Sequence, residues 1–220
     1  MAPPASRKSQ ADNRTIEAVV IGCSAGGLDA LHAILDALPA EFAAAVIVVA
    51  HTAPDGANLL PALLGKTCRL PVSEAREREP ALPGHVYVAP PNYHLLIEPD
   101  CTFALSVDER VCFVRPSIDV LFHSAADAYG EHLVGVILTG ANNDGAEGLK
   151  AVKAAGGLTL VHDPDSAYAD AMPKAAIATG AVDKVLPLED LAKEILRQKC
   201  RIPKKLLPSS NFSLHESVNA

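Results

Sequence analysis

Ala18-Val19-Val20-Ile21-Gly22-Cys23-Ser24-Ala25-Gly26 begins as an unbroken apolar run and ends in a glycine-flanked turn. Apolar residues without alternation read as a strand buried on both faces, as in a parallel sheet. The glycines at 22 and 26 permit backbone angles and close helix–strand contact that a Cβ would obstruct. Ser24 would then project its hydroxyl above the sheet in the steric manner of a nucleophile elbow. A turn of this kind equally suits a phosphate at a helix N-terminus. The motif alone leaves both readings open. Neighbouring residues on such a turn point in different directions, so Ser24 is the candidate nucleophile and Cys23 a small buried hydrophobe.

Outward from this stretch, apolar runs recur at Ala45–Ala50, His85–Ala89, Gly135–Leu138, Leu158–His162 and Asp183–Leu186. Between them lie helical patterns. Leu28, Leu31, Ile34, Leu35 and Leu38 share one face before Pro39; Ile118, Leu121, Phe122, Ala125 and Tyr129 share another. Ala146, Leu149, Val152 and Ala155 follow, closed by Gly156-Gly157. Strands alternating with helices predict an α/β fold, a doubly wound and mostly parallel sheet with helices on both faces. Residues 91–114 alternate instead. Thr102–Val107 and Val111–Val114, separated by Asp108-Glu109-Arg110, read as an antiparallel hairpin appended to that sheet. Residues 1–15 have no periodicity and read as a disordered lead, 16–198 as one domain, and 199–220 as a loose tail.

The 220 residues are 49% hydrophobic, enough for a substantial core, and that core must be aliphatic because tryptophan is absent. A net charge of −7 without a basic stripe argues against nucleic acid as a partner. No apolar run is long enough to span a bilayer, and the polar start shows no secretory signal. Five scattered cysteines without a Cys-x-x-Cys pair argue against disulfides and zinc, and fit a reducing cytosol. The expected location is cytoplasmic.

Three polar residues directly follow buried-strand candidates: Ser24, His51 after Val46–Ala50, and Asp144 after Val136–Leu138 and its loop. Parallel strands bring their carboxyl ends to one edge, where α/β proteins place their sites. That edge could gather a nucleophile, a base and a carboxylate to orient the base. Ala25 N–H would supply one oxyanion donor. Taken singly, each has a plainer reading: a histidine at a strand end is commonly a surface residue, and Asp144 alone reads best as a cap on the helix near Gly145. Of the eight histidines, His94 and His123 are the nearest rivals to His51. The order Ser, His, Asp matches neither the α/β-hydrolases nor the common serine proteases.

Longer strings add a resemblance. Ile21–Gly27, Leu82–Pro90, Arg115–Ser124, Gly135–Gly140 with Asn143–Ala146, and Met172-Pro173-Lys174-Ala175-Ala176 occur in order. Together they resemble the catalytic domain of the chemotaxis receptor methylesterase family, CheB, over residues 17 to 197. That resemblance implies a serine hydrolase that removes methyl groups from γ-glutamyl esters of chemoreceptors, releasing methanol, with glutamine deamidation in some members. It implies a triad of Ser24, His51 and Asp144, an oxyanion hole from the Ala25 and Ala141 N–H groups, and no metal or organic cofactor. The implied partner is a methylated chemoreceptor or other methyl-esterified protein, reached without insertion into a membrane. Arg115 is read as a substrate-docking or structural residue. Met172 is placed in a loop, lining the cleft or packing in the core.

The chain departs from the family pattern at three points. Ala25 stands where threonine is usual, and Gly140-Ala141-Asn142 where Gly-Met-Gly is usual. If the backbone at 142 needs a positive φ, asparagine is the least costly substitute for glycine. No receiver domain fits before Ala18, so a stand-alone form is expected. The alternative is a catalytically weak scaffold or binding module on the same fold, motivated by Ala25 and Asn142. A nucleotide-binding module lacks an acidic ribose-binding residue clearly placed after the second strand.

Overall fold

The computed structural model describes residues 14–51 and 58–207. In chain order the elements are β1 (Thr15–Ile16), β2 (Ala18–Cys23), α1 (Gly27–Leu35), β3 (Ala45–Ala50), α2 (Leu60–Leu64), β4 (Val72–Glu74), β5 (Val86–Val88), β6 (His94–Ile97) and β7 (Phe103–Ser106). They continue with α3 (Ile118–Tyr129), β8 (Leu133–Ile137), α4 (Ala146–Ala154), β9 (Leu158–His162), α5 (Ala171–Ala178), β10 (Lys184–Leu186), α6 (Leu188–Leu196) and β11 (Lys199–Cys200).

Seven strands form one sheet in the order β10-β9-β8-β2-β3-β5-β4, and every neighbouring pair is parallel. Its central strands send alternate side chains to opposite faces, both buried. Ala18 and Val20 of β2, with Ile47 and Val49 of β3, pack beneath Leu121 of α3, Leu149 of α4 and Ala176 of α5. Val19, Ile21, Val46 and Val48 pack beneath Leu31 and Ile34 of α1 and Leu191 and Ile195 of α6. The continuous apolar runs of the sequence follow from this two-sided burial. The doubly wound fold is as expected.

The chain passes from β2 to β3 on one side and later enters β8 on the other. The carboxyl ends of β2, β3 and β8 therefore border a topological switch point, where open α/β sheets form a crevice.

Several local expectations change. The antiparallel hairpin pairs β6 with β7 and forms its own two-stranded sheet. Val111–Val114 is not its second strand: Cys112 and Phe113 have positive φ, and a Val111–Val114 bridge closes a tight turn around them. Met172 lies in helix α5 rather than in a loop. The tail is held over its first residues, because Lys199 and Cys200 pair with Thr15 and Ile16. The remaining expectations for the lead and tail, residues 1–13 and 208–220, lie outside the described residues.

Candidate active site

Cys23 and Ala50 are register partners at the ends of β2 and β3, and the next residue on each strand is Ser24 and His51. Adjacent strands run about 4.8 Å apart, so the register itself makes these two residues neighbours. The His51 N–H donates to the Cys23 carbonyl at 3.0 Å, and the Ser24 N–H donates to the Thr139 carbonyl at 2.9 Å. Ser24 and His51 line one open cleft of about 310 Å³, with Gly26, Leu28, Ala50 and Leu60.

The turn needs its glycines. Gly26 caps α1 at φ 75°, a left-handed conformation that side chains rarely adopt. A Cβ on Gly27 would come within 2.6 Å of Cys23 Sγ, where α1 presses on β2. Cys23 is fully buried, and that burial pushes its thiol up to about 12. It stays protonated at neutral pH and is no rival to Ser24 as a nucleophile.

Asp144 is completely buried and accepts four hydrogen bonds. His51 Nε2 donates to Oδ2 at 2.8 Å and the Ile118 N–H to the same oxygen at 2.6 Å. The Ser117 hydroxyl and the Asp119 N–H donate to Oδ1 at 2.8 and 3.1 Å. Burial opposes ionisation, but the hydrogen bond from His51 and those from Ile118, Ser117 and Asp119 outweigh it. The carboxyl is held below its ordinary value. Asp144 does not cap its own helix, as its position in the sequence suggested. It serves the N-terminus of α3, where Ile118 and Asp119 have no intrahelical acceptors.

Because ionised Asp144 can only accept, His51 Nε2 carries the proton of that bond. In the neutral ring Nδ1 then bears the lone pair, and it lies 3.3 Å from Asn142 Nδ2. The opposite end of that amide, Asn142 Oδ1, accepts from the Asp144 N–H at 3.3 Å. The backbone of Asn142 is not at positive φ, so the conformational concern raised by the sequence does not arise.

Thr139, unnoticed in the sequence as a site residue, braces the loops. Its hydroxyl lies 2.8 Å from the Ala25 carbonyl and 3.1 Å from the Ala169 carbonyl, and accepts from the Ala169 N–H at 2.8 Å. Among the described residues no hydrogen bond consumes the N–H of Ala25 or of Ala141. Ser117 was also passed over; only the tertiary fold brings its hydroxyl to Asp144.

The other candidates separate clearly. His94 is buried, accepting from the Ser117 N–H at Nδ1 and bonding the Glu109 carbonyl at Nε2. His123 is exposed on α3. Arg115 Nη1 donates to the carbonyls of Val107 and Asp108, which gives it a structural task in that loop. Met172 is buried, and a Cβ on Gly140 would meet its side chain at 2.5 Å. That is core packing, one of its two expected roles. Among the described residues, one grouping has metal-ligand chemistry, with Cys112 Sγ and the Asp119 and Asp144 carboxylates within 4.8 Å. It is poorly suited to an ion: both Asp144 oxygens are occupied, and burial pushes the Cys112 thiol up.

A doubly wound parallel sheet with a serine-bearing turn beside a histidine–aspartate pair at its switch point defines an α/β domain that holds the parts of an acyl-transfer site. The CheB methylesterase family profile matches residues 19–195. A putative protein-glutamate methylesterase/protein-glutamine glutaminase of Leptospira interrogans is 50% identical over 181 residues, covering 82% of this chain and 94% of that protein. A protein-glutamate methylesterase/protein-glutamine glutaminase of Symbiobacterium thermophilum is 41% identical over 81% of this chain and 49% of its own length. The crystal structure of the Thermotoga maritima CheB methylesterase catalytic domain superposes with a TM-score of 0.80 at 35% identity, covering 82% of this chain and 97% of that one. The chain belongs to the CheB methylesterase family.

Proposed function

We propose that this chain hydrolyses γ-glutamyl methyl esters on a chemoreceptor-like protein, with Ser24, His51 and Asp144 as its catalytic triad. The observation that carries the reading is the 2.8 Å bond from His51 to the buried Asp144, one register step from Ser24. Family membership supports the reaction class.

Ser24 Oγ attacks the ester carbonyl while His51 Nδ1 takes its proton. Asp144 holds the ring by Nε2–H and stabilises the imidazolium that results. The Ala25 and Ala141 N–H groups receive the oxyanion of the tetrahedral intermediate. As the intermediate collapses, the imidazolium gives its proton to the methoxy oxygen and methanol leaves. Water, deprotonated by the same imidazole, then cleaves the glutamyl ester of Ser24 and restores the hydroxyl. On a glutamine side chain the same steps release ammonia.

No described helix is long and apolar enough to cross a membrane; the reading places the enzyme in the cytoplasm, acting on receptors that are themselves membrane-bound. The decisive experiment is methanol release from methyl-labelled chemoreceptor membranes by the parent chain, Ser24→Ala and His51→Ala. Release lost in both variants establishes the activity. No release from the parent, together with no labelling of Ser24 by a fluorophosphonate, would overturn it in favour of a binding module.

A further inference from the structure

The lone pair that must accept the Ser24 proton already has a partner. With Nε2–H committed to Asp144, His51 has one acceptor site, Nδ1, and the Asn142 amide nitrogen lies 3.3 Å from it. An amide nitrogen can only donate. The orientation of that amide is set from its other end, where Oδ1 takes the Asp144 N–H. The same short loop thus supplies the carboxylate on one side of the ring and the donor on the other. Among the described residues, no hydrogen bond joins the Ser24 hydroxyl to His51.

We propose that Asn142 is a positioning residue that latches the resting base, its amide occupying His51 Nδ1 until substrate draws it away. The inference rests on the assignment of Ser24, His51 and Asp144 as a triad. In the latched state the ring is held at both nitrogens, correctly oriented but with its lone pair engaged. Ser24 is then a weak nucleophile toward any reagent that does not displace the amide. A glutamyl ester brings carbonyl and ether oxygens into the cleft, acceptors that the released amide can take. The lone pair passes to the Ser24 O–H as the amide turns. No bond other than hydrogen bonds forms or breaks in this step.

The test is the second-order rate at which a small fluorophosphonate modifies Ser24 in the parent chain, Asn142→Gly and Asn142→Ala. Mass spectrometry locates the adduct, Ser24→Ala and His51→Ala serve as controls, and circular dichroism melts confirm folding. Loss of the latch should speed labelling about two- to tenfold, the range to which the net worth of a neutral hydrogen bond converts. A loss of local structure would slow it. The imidazole ¹⁵N spectrum of the resting protein should show the His51 Nδ1 resonance move in both variants while Nε2 stays protonated. Equal or slower labelling in the variants, with a labelled parent, overturns the latch and leaves the triad standing. A silent parent with labelled variants supports the latch in its strongest form; silence of all three overturns the latch, and overturns the triad as well when the parent also releases no methanol.

Discussion

Asp144 and Asp119 exchange helix caps: Asp144, just before α4, accepts from the Ile118 and Asp119 N–H groups of α3, and Asp119 Oδ1 accepts from the Gly148 N–H of α4 at 2.6 Å. Each carboxylate sits where its partner helix presents unsatisfied donors and positive dipole. The close approach is possible because residue 148 is glycine; a Cβ there would lie 2.9 Å from Asp119 Cα. The carboxylate that orients His51 is thereby fixed by the packing of two helices.

Asp144→Asn should keep the fold nearly intact but present an amide where the ring and three other donors require an acceptor. Turnover is expected to fall by about 10⁴-fold, the scale seen when a serine triad loses its correct tautomer. Asp144→Ala removes the acceptor altogether, leaves buried donors unpaired, and should also cost about 1–3 kcal/mol of stability. Methanol-release kinetics and urea unfolding separate the two effects.

The two capping carboxylates should respond to acid in opposite ways. Asp144 is held below the ordinary 3.8, so its contribution to stability is fully present above pH 3.8 and lost as pH falls through its folded value. Asp119 is raised, first by burial, with the charge of Asp144 adding to the shift against the Gly148 hydrogen bond. Its ionised form therefore costs stability at neutral pH, and that cost disappears as pH falls through its folded value to below 3.8. Asp119→Asn keeps an oxygen for Gly148 and removes the charge. It should unfold at equal or higher urea concentration than the parent at pH 7 and lose that advantage below pH 3.8. A less stable variant at pH 7 would refute this assignment.

Cys23 can be tested against Ser24 directly. With its thiol pushed up to about 12 and fully buried, Cys23 should remain unmodified by iodoacetamide in the native protein at neutral pH. Cys23→Ala should retain fluorophosphonate labelling, and Ser24→Ala should lose it. Alkylation of native Cys23, mapped by peptide mass, would contradict its buried placement.

Gly26→Ala forces a Cβ into a left-handed backbone and to within 2.5 Å of Tyr168 Cβ. A cost of about 1–3 kcal/mol is expected from the backbone alone. Labelling of Ser24 should slow as well, since the turn carries both Ser24 and the Ala25 N–H. Urea unfolding at parental stability would show that the turn relaxes without strain.

The sheet was legible in the sequence wherever burial is two-sided. β3 and β9 run over the residues their apolar stretches predicted, and α3 likewise. β4 escaped notice because Val72-Ser73-Glu74 is short and only part-buried at the edge of the sheet. Helix α5 was obscured by Pro173, which sits harmlessly in its first turn. That Ser24, His51 and Asp144 share one edge of the sheet could be read because parallel strands gather their carboxyl ends. The direction of the Asp144 carboxylate could not, since a local cap and a tertiary one look alike in sequence. Asn142 drew attention for its backbone, whereas its side chain makes the consequential contact.

The four donors around Asp144 have one more consequence. Two of them, the Ile118 and Asp119 amides, are backbone protons whose only acceptor among the described residues is the carboxylate bonded to His51. Their exchange with deuterated water requires that carboxylate to let go. Exchange at these two positions therefore times the opening of the site in the absence of any ester, and gives a clock for its integrity that can be read residue by residue.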